Sequence, residues 1–310
     1  MWNLLAYFNG GLRAERSKTI YAGKMKQTGF IVGTGRCGTT ILASVLNAHP
    51  NICIPHELHF LVNRGIYETY LSGDGQRFQA DDFISFIQER NPYHFERYFD
   101  YIGHFKNLTY PQKNLRLLLT DLFDHICYVS GKETFLDQTP WHGQYLEILK
   151  EVFPDMKVIH MIRDGRDVAI SFARTPWWGK EKDLMANLER WRKEISVIHS
   201  FCVNNPAICL EVKYEDLVVN PRQELGRILR LFGLEFEEEM LDPAHLIDYM
   251  PFSKGNGMEV QSERFKKWEQ EKDSVFFPES ILNWKNTNYE SFRFISDDIK
   301  ETLLTFGYDA

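Results

Sequence analysis

The sequence predicts a three-layer α/β fold in which helices flank a central, mainly parallel sheet. Two observations support this fold class. Short apolar runs alternate with helical periodicity in the order β-α-α-β-α-β-α-α-β-α along the 310 residues. The run Lys157–Ile162 is almost continuously apolar, as a parallel strand buried on both faces should be. No linker divides the chain, so we expect a single domain over 1–310, with an N-terminal arm at 1–26 and a polar loop at 250–280 that could act as a lid.

The first half begins with the clearest strand and helix. Phe30–Val32 forms a short buried strand, and from Thr39 apolar side chains repeat on one helical face until His49 and Pro50 end the helix. The same periodicity predicts three further helices, at 57–70, 81–90 and 111–130.

Strands and helices keep alternating in the second half. A strand at 134–136 is followed by a helix that starts near Pro140 and ends before Pro154, because proline suits both positions. After the strand at 157–162, Asp164 begins the next helix. The remaining elements are a long amphipathic helix at 182–203, a strand at 207–212, a helix at 221–232 closed by Gly233 and a last helix at 295–306.

The charge balance and the cysteines exclude several classes of function. Lys and Arg number 36 against 43 Asp and Glu, and the net charge of −7 disfavours nucleic-acid or anionic-membrane binding, since both need a broad positive field. The five cysteines form no C-x-x-C pair and no zinc-type spacing, so we expect reduced thiols, no metal and a cytoplasmic protein. The sequence has no run of 18 apolar residues, so no membrane span is expected.

A glycine-rich loop connects the first strand to the first helix. Gly33 and Gly38 bracket four residues, and this context suits a phosphate group because backbone N–H groups and a helix N-terminus both favour an anion. A Walker A loop would continue with Lys and then Ser or Thr, whereas this loop continues with Thr39 and Thr40 and has Arg36 as its cation. Nucleoside triphosphate hydrolysis depends on that lysine and on Mg²⁺, so this P-loop-like fold should bind a ligand with fewer phosphates and without metal.

Several segments resemble the sulfotransferase family, and the motifs are closest to those of tyrosylprotein sulfotransferases and their bacterial relatives. Residues 31–40 are similar to the family's 5′-phosphosulfate loop, and residues 46–52 to the stretch that follows it. Residues 161–171 resemble the 3′-phosphate motif, in which an Arg at a strand end is followed eight residues later by a Ser. Residues 212–221 resemble the family's Y-E-D-L…P element. The resemblance, over roughly 29–235, implies an enzyme that uses 3′-phosphoadenosine 5′-phosphosulfate (PAPS) as donor and releases adenosine 3′,5′-bisphosphate, without a metal.

The expected donor site follows from the resemblance and from the chemistry of the residues. Arg163 offers a planar fork that suits a dianionic 3′-phosphate, and Ser171 lies two helical turns further on. The resemblance implies that Tyr214 stacks on the adenosine bisphosphate or hydrogen-bonds to it. The full set expected to bind the donor is Gly35, Arg36, Cys37, Gly38, Thr39, Thr40, Arg163, Ser171 and Tyr214.

Sulfuryl transfer also needs a base for the acceptor's proton and stabilisation of the charge on the leaving phosphate. Three candidate bases, His56, Glu57 and His59, follow Pro55, where the chain returns toward the carboxyl edge of the sheet. The resemblance favours Glu57 as the general base, with His56 and His59 as the alternatives. Arg36 is expected to stabilise the leaving phosphate.

Gln138 and His142 are the residues expected to contact the acceptor or the sulfo group. Tyrosylprotein sulfotransferases carry a Lys at the position of Gln138 and an Arg at the position of His59. Gln138 can donate a hydrogen bond but brings no charge, so Arg36 would carry more of the transition-state charge. His142 follows closely in the sequence and is a candidate for acceptor binding.

Two other functions stay open at this point. A P-loop nucleotide kinase shares the strand–loop–helix start but needs the missing lysine. A non-catalytic module that only binds adenosine bisphosphate would have no use for Glu57. The sequence also leaves open whether the hydroxyl-bearing acceptor is a phenol, a sugar, a lipid alcohol or a peptidyl tyrosine, and it leaves the oligomeric state open, with a dimer as one option.

Overall fold

The structure is a computed structural model that describes residues 25–55, 57–58, 78–79, 109–110, 115–175, 183–249, 275–287 and 289–309. Several predicted features lie outside these residues: the arm up to residue 24, the helix beyond residue 58, the helix at 81–90 and the polar loop from 250 to 274. All four strands predicted from the sequence lie inside them.

The described residues contain a parallel sheet and a small antiparallel pair. The strands are β1 (Gln27–Gly33), β2 (Ile52–Cys53), β3 (Phe78–Gln79), β4 (Thr109–Tyr110), β5 (Thr134–Asp137), β6 (Lys157–Ile162) and β7 (Cys209–Lys213). β3 pairs with β4, and the other five form one parallel sheet in the spatial order β2-β5-β1-β6-β7. The predicted central parallel sheet is therefore confirmed, while the short strand β2 was not predicted.

Most of the predicted helices that the structure describes fall close to their predicted positions, and three short helices, at 214–219, 243–249 and 283–287, were not predicted. The helices are α1 (Thr39–Asn47), α2 (Leu115–Ser130), α3 (Leu146–Val152), α4 (Gly165–Ala173), α5 (Leu184–Asn204), α6 (Tyr214–Val219), α7 (Pro221–Leu231), α8 (Pro243–Tyr249), α9 (Asn283–Thr287) and α10 (Asp297–Thr305). Short 3-10 turns cover Pro140–Tyr145, Glu238–Leu241, Pro278–Ser280 and Tyr289–Phe292. Within the described ranges, no helix is long and apolar enough to cross a membrane.

One predicted helix is built differently. The sequence predicts a continuous helix from Pro140 to residue 153, whereas the structure has a 3-10 turn over Pro140–Tyr145 and then α3. The turn packs tightly on its neighbours, because a Cβ at Gly143 would lie 2.5 Å from Ile198 and 3.4 Å from Val32. This packing is a tertiary contact, which the periodicity of the sequence does not show.

Two hydrophobic clusters cover the two faces of the sheet. Along β1, Phe30 and Val32 belong to one cluster and Ile31 to the other, as the alternation of side chains along a strand requires. All three side chains are fully buried. The sheet is thus the middle layer of three, as predicted.

The strand order places a ligand-binding edge next to β1. β5 lies on one side of β1 and β6 on the other, so the connections run to opposite sides of this strand. In open α/β sheets, ligands bind beyond the carboxyl ends of the strands at such a switch point. The register pairs Gly33 with Met161, so the loop that follows β1 and the residue Arg163 that follows β6 start at nearly the same level.

Candidate active site

Two glycines fix the shape of the loop between β1 and α1. Gly38 has a φ of 98°, and a Cβ there would overlap the ring of Tyr214. At Gly33, a Cβ would lie 2.6 Å from the Sγ of Cys37 and 2.6 Å from the carbonyl oxygen of Met161. Both positions therefore need glycine, one for its backbone conformation and both for the close packing.

Cys37 stabilises the loop through a buried hydrogen bond. Its buried thiol donates a hydrogen bond to the carbonyl oxygen of Thr34 at 2.6 Å. Burial raises the pKa of the Cys37 thiol to about 12, so the side chain stays neutral at physiological pH. Cys37 therefore contributes to the loop's shape rather than a charge.

The N-terminus of α1 faces this loop without a side-chain cap. Gly38 is the N-cap residue and has no side chain to satisfy the first N–H groups, and the first turn holds no acidic residue. The N-terminal end of a helix carries about half a positive charge, so the start of α1 favours an anion. Thr39 is buried and Thr40 is half-buried in this first turn.

The two predicted phosphate motifs meet at Arg36. Its backbone is in the left-handed region, with a φ of 67°. Its Nε donates a hydrogen bond to Ser171 Oγ on α4 at 3.0 Å, and its carbonyl oxygen accepts one from Arg163 Nη1 at 3.1 Å. A loop after β1 and a strand–helix turn after β6 are thereby joined into one site.

Arg163 keeps hydrogen-bonding capacity for a further partner. Its guanidinium lies 4.8 Å from the ring centre of Tyr214, and its Nη2 donates to the carbonyl oxygen of Ser280 at 2.6 Å. The carboxylate of Asp167 is 3.8 Å from Nη2, too far for a hydrogen bond, and burial raises the pKa of Asp167. The Nε of Arg163 is buried and has no hydrogen-bond partner among the described residues. An unpaired buried donor of this kind is unfavourable, and the acceptor atoms of an anion could satisfy it.

Ser280 belongs to this site, and the sequence did not predict it. The hydroxyl of Tyr214 donates to Ser280 Oγ at 2.8 Å, because that oxygen uses its own proton on the carbonyl of Phe277. The end of the predicted polar loop is thereby attached to both Tyr214 and Arg163. Ser280 is 117 positions from Arg163 in a polar segment, and no local signal marks it.

A second arginine near the site is already neutralised. Arg166 forms a buried two-pronged pair with Asp164, at 2.9 Å to Oδ1 and 2.7 Å to Oδ2. Its guanidinium also lies 3.7 Å from the ring centre of Trp284. Arg166 therefore stabilises the turn that leads into α4, while Arg163 faces the loop.

Glu57 approaches the loop through the side chain of Gln138. The buried amide nitrogen of Gln138 donates to Thr39 Oγ1 at 3.2 Å and to Glu57 Oε1 at 3.3 Å. Because one amide spans both contacts, the Glu57 carboxylate lies two hydrogen bonds from the first residue of α1. Glu57 itself is half-buried.

A buried polar network holds the backbone beside Glu57. The N–H of Leu58 donates to Thr139 Oγ1 at 2.9 Å, and that hydroxyl donates to Asp137 Oδ1 at 3.1 Å. The other carboxylate oxygen of Asp137 makes a short contact with Nδ1 of His142, whose side chain is fully buried. His142, which was expected to contact the acceptor, is therefore a buried member of this network and contacts Asp137.

Most of the predicted site residues lie around one loop. The residues joined by direct contacts are Arg36, Gly38, Thr39, Glu57, Gln138, Arg163, Ser171 and Tyr214. Gly35, Cys37 and Thr40 belong to the same loop and helix start. The alternative bases His56 and His59 lie outside the described residues.

Comparison with known sequences finds one family over most of the chain. The sequence profile of the sulfotransferase family matches residues 30–238. A Caenorhabditis briggsae protein, named as a predicted protein-tyrosine sulfotransferase, is 25% identical over 290 residues, which cover 90% of this chain and 88% of that protein. Protein-tyrosine sulfotransferase 1 of Danio rerio is 24% identical over 264 residues, which cover 82% of this chain but only 64% of the fish protein.

Comparison with solved structures supports the same fold. The sulfotransferase domain of the Synechococcus PCC 7002 olefin synthase superposes with a TM-score of 0.63 at 21% identity. The superposition covers 93% of this chain and 98% of that domain. The fold therefore follows an arrangement already seen in a solved structure.

Proposed function

Because this chain belongs to the sulfotransferase family, we propose that it moves a sulfuryl group from PAPS to the hydroxyl group of an acceptor by in-line displacement, with Glu57 as the general base. The observation that carries this proposal is the contact between the two phosphate motifs. Arg36 of the first motif bonds both Ser171 and Arg163 of the second, and Gln138 brings Glu57 to the same loop.

The residues present suit an adenosine 3′,5′-bisphosphate moiety. The loop and the uncapped start of α1 offer backbone donors to the 5′-phosphate, with Arg36 as the cation. Ser171 and Arg163, whose Nε bonds no other described residue, suit the 3′-phosphate. Gly35, Cys37, Gly38, Thr39 and Thr40 line the loop, and Tyr214 packs against Gly38. In this proposal Arg36 and Arg163 offset the negative charge of the two phosphates, and no metal ion is needed for that.

Each side chain has a definite part in the chemistry. PAPS, when bound, supplies a sulfuryl group attached to a phosphate leaving group. Glu57 accepts the proton of the acceptor hydroxyl, which makes that oxygen a better nucleophile. Arg36 and the N–H groups at the start of α1 stabilise the negative charge that grows on the leaving phosphate. These groups are already held in place by the contacts described above, so they need little rearrangement during the reaction.

Gln138 orients the base in this proposal. Its amide has two N–H donors, and both are engaged, one with Glu57 and one with Thr39. Gln138 therefore links the carboxylate that receives the proton to the helix start that holds the phosphate. Because Gln138 is uncharged, Arg36 carries the positive charge on this side of the site.

The acceptor carries a hydroxyl group, and a peptidyl tyrosine is the first class to test. The relatives in Caenorhabditis briggsae and Danio rerio are named for protein-tyrosine sulfotransferase activity. A small phenol, a sugar and a lipid alcohol are the comparison acceptors. Transfer to one class alone would identify the substrate class.

The direct test is a product screen with PAPS that carries a radiolabelled sulfuryl group. The protein is incubated in Mg²⁺-free buffer with each acceptor class, and sulfated product and adenosine 3′,5′-bisphosphate are quantified together. We expect one equivalent of each to form in parallel. Tight binding of the bisphosphate with no product from any acceptor would favour a non-catalytic module. Phosphoryl transfer from ATP that requires Mg²⁺ would instead identify a nucleotide kinase.

A further inference from the structure

Among the described residues, one group of side chains away from the donor site has the composition of a metal centre. His160 lies on β6, Cys202 on α5 and Glu211 on β7. A nitrogen, a sulfur and a carboxylate oxygen from these three residues lie within 4.8 Å of one another. None of the three contacts the loop between β1 and α1 in the described hydrogen-bond network.

The geometry of this group suits a small divalent cation. His160 Nδ1 is 2.9 Å from Glu211 Oε1, and His199 Nδ1 is also 2.9 Å from that oxygen. Zinc bonds of about 2.0–2.3 Å in a tetrahedral site correspond to ligand–ligand distances of about 3.3–3.8 Å. The two imidazole nitrogens share one carboxylate oxygen at hydrogen-bonding distance, and no pair in the three-residue group is more than 4.8 Å apart, so the side chains would have to shift to open ligand–ligand distances of that size.

One member of the group is completely buried. No part of the His160 side chain is exposed, and its Nδ1 faces Glu211 Oε1, so Nδ1 is the ring nitrogen that would bind a metal in this group.

The surroundings provide further ligands and an access route. The thiol of Cys202 is hydrogen-bonded to that of Cys209 on β7, so a second sulfur lies beside the group. Cys202 is buried, while the side chains of His199 and Glu211 are 29% and 31% exposed to solvent. A cation can therefore enter from the side of His199 and Glu211.

We propose that His160, Cys202 and Glu211 form a zinc-binding site, with His199 as the fourth ligand. Mixed sulfur, nitrogen and oxygen donors match Zn²⁺, whereas Mg²⁺ and Ca²⁺ select oxygen ligands alone. Binding converts the Cys202 thiol to a thiolate and releases its proton to solvent.

The site has a structural role in this proposal. Zinc would connect α5 to β6 and β7, whose carboxyl ends lead directly into Arg163 and Tyr214. Because the ligands are brought together only in the folded chain, the binding energy adds to the stability of the fold. Bound zinc should therefore raise the melting temperature without taking part in sulfuryl transfer.

The test uses the full chain, stripped of metal with a chelator and then titrated with Zn²⁺. Bound metal is counted by elemental analysis, and Co²⁺ substitution reports thiolate coordination through its sulfur-to-metal charge-transfer band. We expect one equivalent of tightly bound Zn²⁺, a higher melting temperature and a thiolate–cobalt band. The stripped wild-type chain taking up no zinc at micromolar concentrations would overturn the proposal.

Variants then locate the metal. Cys202→Ser, which keeps the size of the side chain, should weaken zinc binding by at least about 100-fold and abolish the cobalt band. Glu211→Gln changes a partly exposed residue and serves if Cys202→Ser fails to fold. Cys53→Ser is the matched control, because Cys53 is also buried and bonded to a second thiol, that of Cys127, but has Lys132 as its charged neighbour. Wild-type zinc affinity in a folded Cys202→Ser or Glu211→Gln chain would show that the metal binds elsewhere.

Discussion

Replacing Arg163 with Ala separates recognition of the 3′-phosphate from recognition of the rest of the donor. The change removes the guanidinium that we assign to the 3′-phosphate, together with its hydrogen bonds to the carbonyls of Arg36 and Ser280. We expect adenosine 3′,5′-bisphosphate to lose much more affinity than adenosine 5′-phosphate, which lacks the 3′-phosphate.

The two losses can be estimated from the contacts. A charge-assisted contact to the 3′-phosphate is worth about 1.5–3 kcal/mol, or roughly ten- to hundredfold in affinity. The lost bond to the Arg36 carbonyl is worth about 1 kcal/mol, and because it supports the loop it should weaken both nucleotides roughly fivefold. The bisphosphate should therefore lose roughly 50- to 500-fold in affinity and the 5′-phosphate roughly fivefold.

Isothermal titration calorimetry of both nucleotides, in Mg²⁺-free buffer, measures these changes. Arg174→Ala is the matched control, because Arg174 is exposed just beyond α4 and its loss changes the net charge equally. We expect the control to bind both nucleotides within about twofold of wild type. Circular dichroism checks that the Arg163 variant is folded. Equal fold-losses for the two nucleotides would refute the assignment of Arg163 to the 3′-phosphate.

Three further substitutions test separate parts of the site. Arg36→Ala should lower both kcat and donor affinity in steady-state assays, because charge grows on the leaving phosphate during transfer; a raised KM with unchanged kcat would make Arg36 a binding residue only. Gln138→Leu should lower kcat roughly ten- to hundredfold with little change in bisphosphate affinity, because the hydrogen bond to the charged Glu57 is lost. Gln144→Leu is the control, because the Gln144 amide donates to the Glu194 carbonyl instead. Unchanged kcat in Gln138→Leu would argue against its orienting role. Ser280→Ala should weaken bisphosphate binding by roughly fivefold through Tyr214, and calorimetry that finds wild-type affinity would contradict this link.

The loop and the second motif were predictable because their chemistry is local. Gly33, Arg36 and Gly38 lie within six residues, and the strand and helix around them have clear periodicity. Arg163 and Ser171 are likewise fixed by one strand–helix turn. The parallel sheet then brings the two segments together, because neighbouring parallel strands end at the same edge.

The contacts that tie the site together were not predictable because they join distant segments. Ser280 reaches Arg163 across 117 positions, and Leu58 reaches Thr139 across 81. Such pairings depend on how helices and loops pack, and no periodic signal encodes them. Asp137 and His142 are only five positions apart, but their burial against each other depends on tertiary packing, so the sequence did not show it.

The proposed zinc site shows the same limit for metal ligands. The expectation of no metal rested on the lack of close cysteine and histidine spacings. His160 and Cys202 are 42 positions apart in sequence number and come from a strand and a helix, while Glu211 comes from the next strand. A site assembled from three separate elements leaves no spacing pattern to find.

The most direct test of the proposed chemistry is the turnover of the Glu57→Gln variant. Gln keeps the size of the side chain and removes its basicity, so the fold and the bisphosphate affinity should be preserved. We expect kcat to fall by roughly 10²–10⁴, the usual contribution of a positioned general base, and more for an alkyl alcohol than for a phenol with its pKa near 10. Near-normal turnover of Glu57→Gln, with activity abolished in His56→Ala or His59→Ala, would instead assign the base to a histidine.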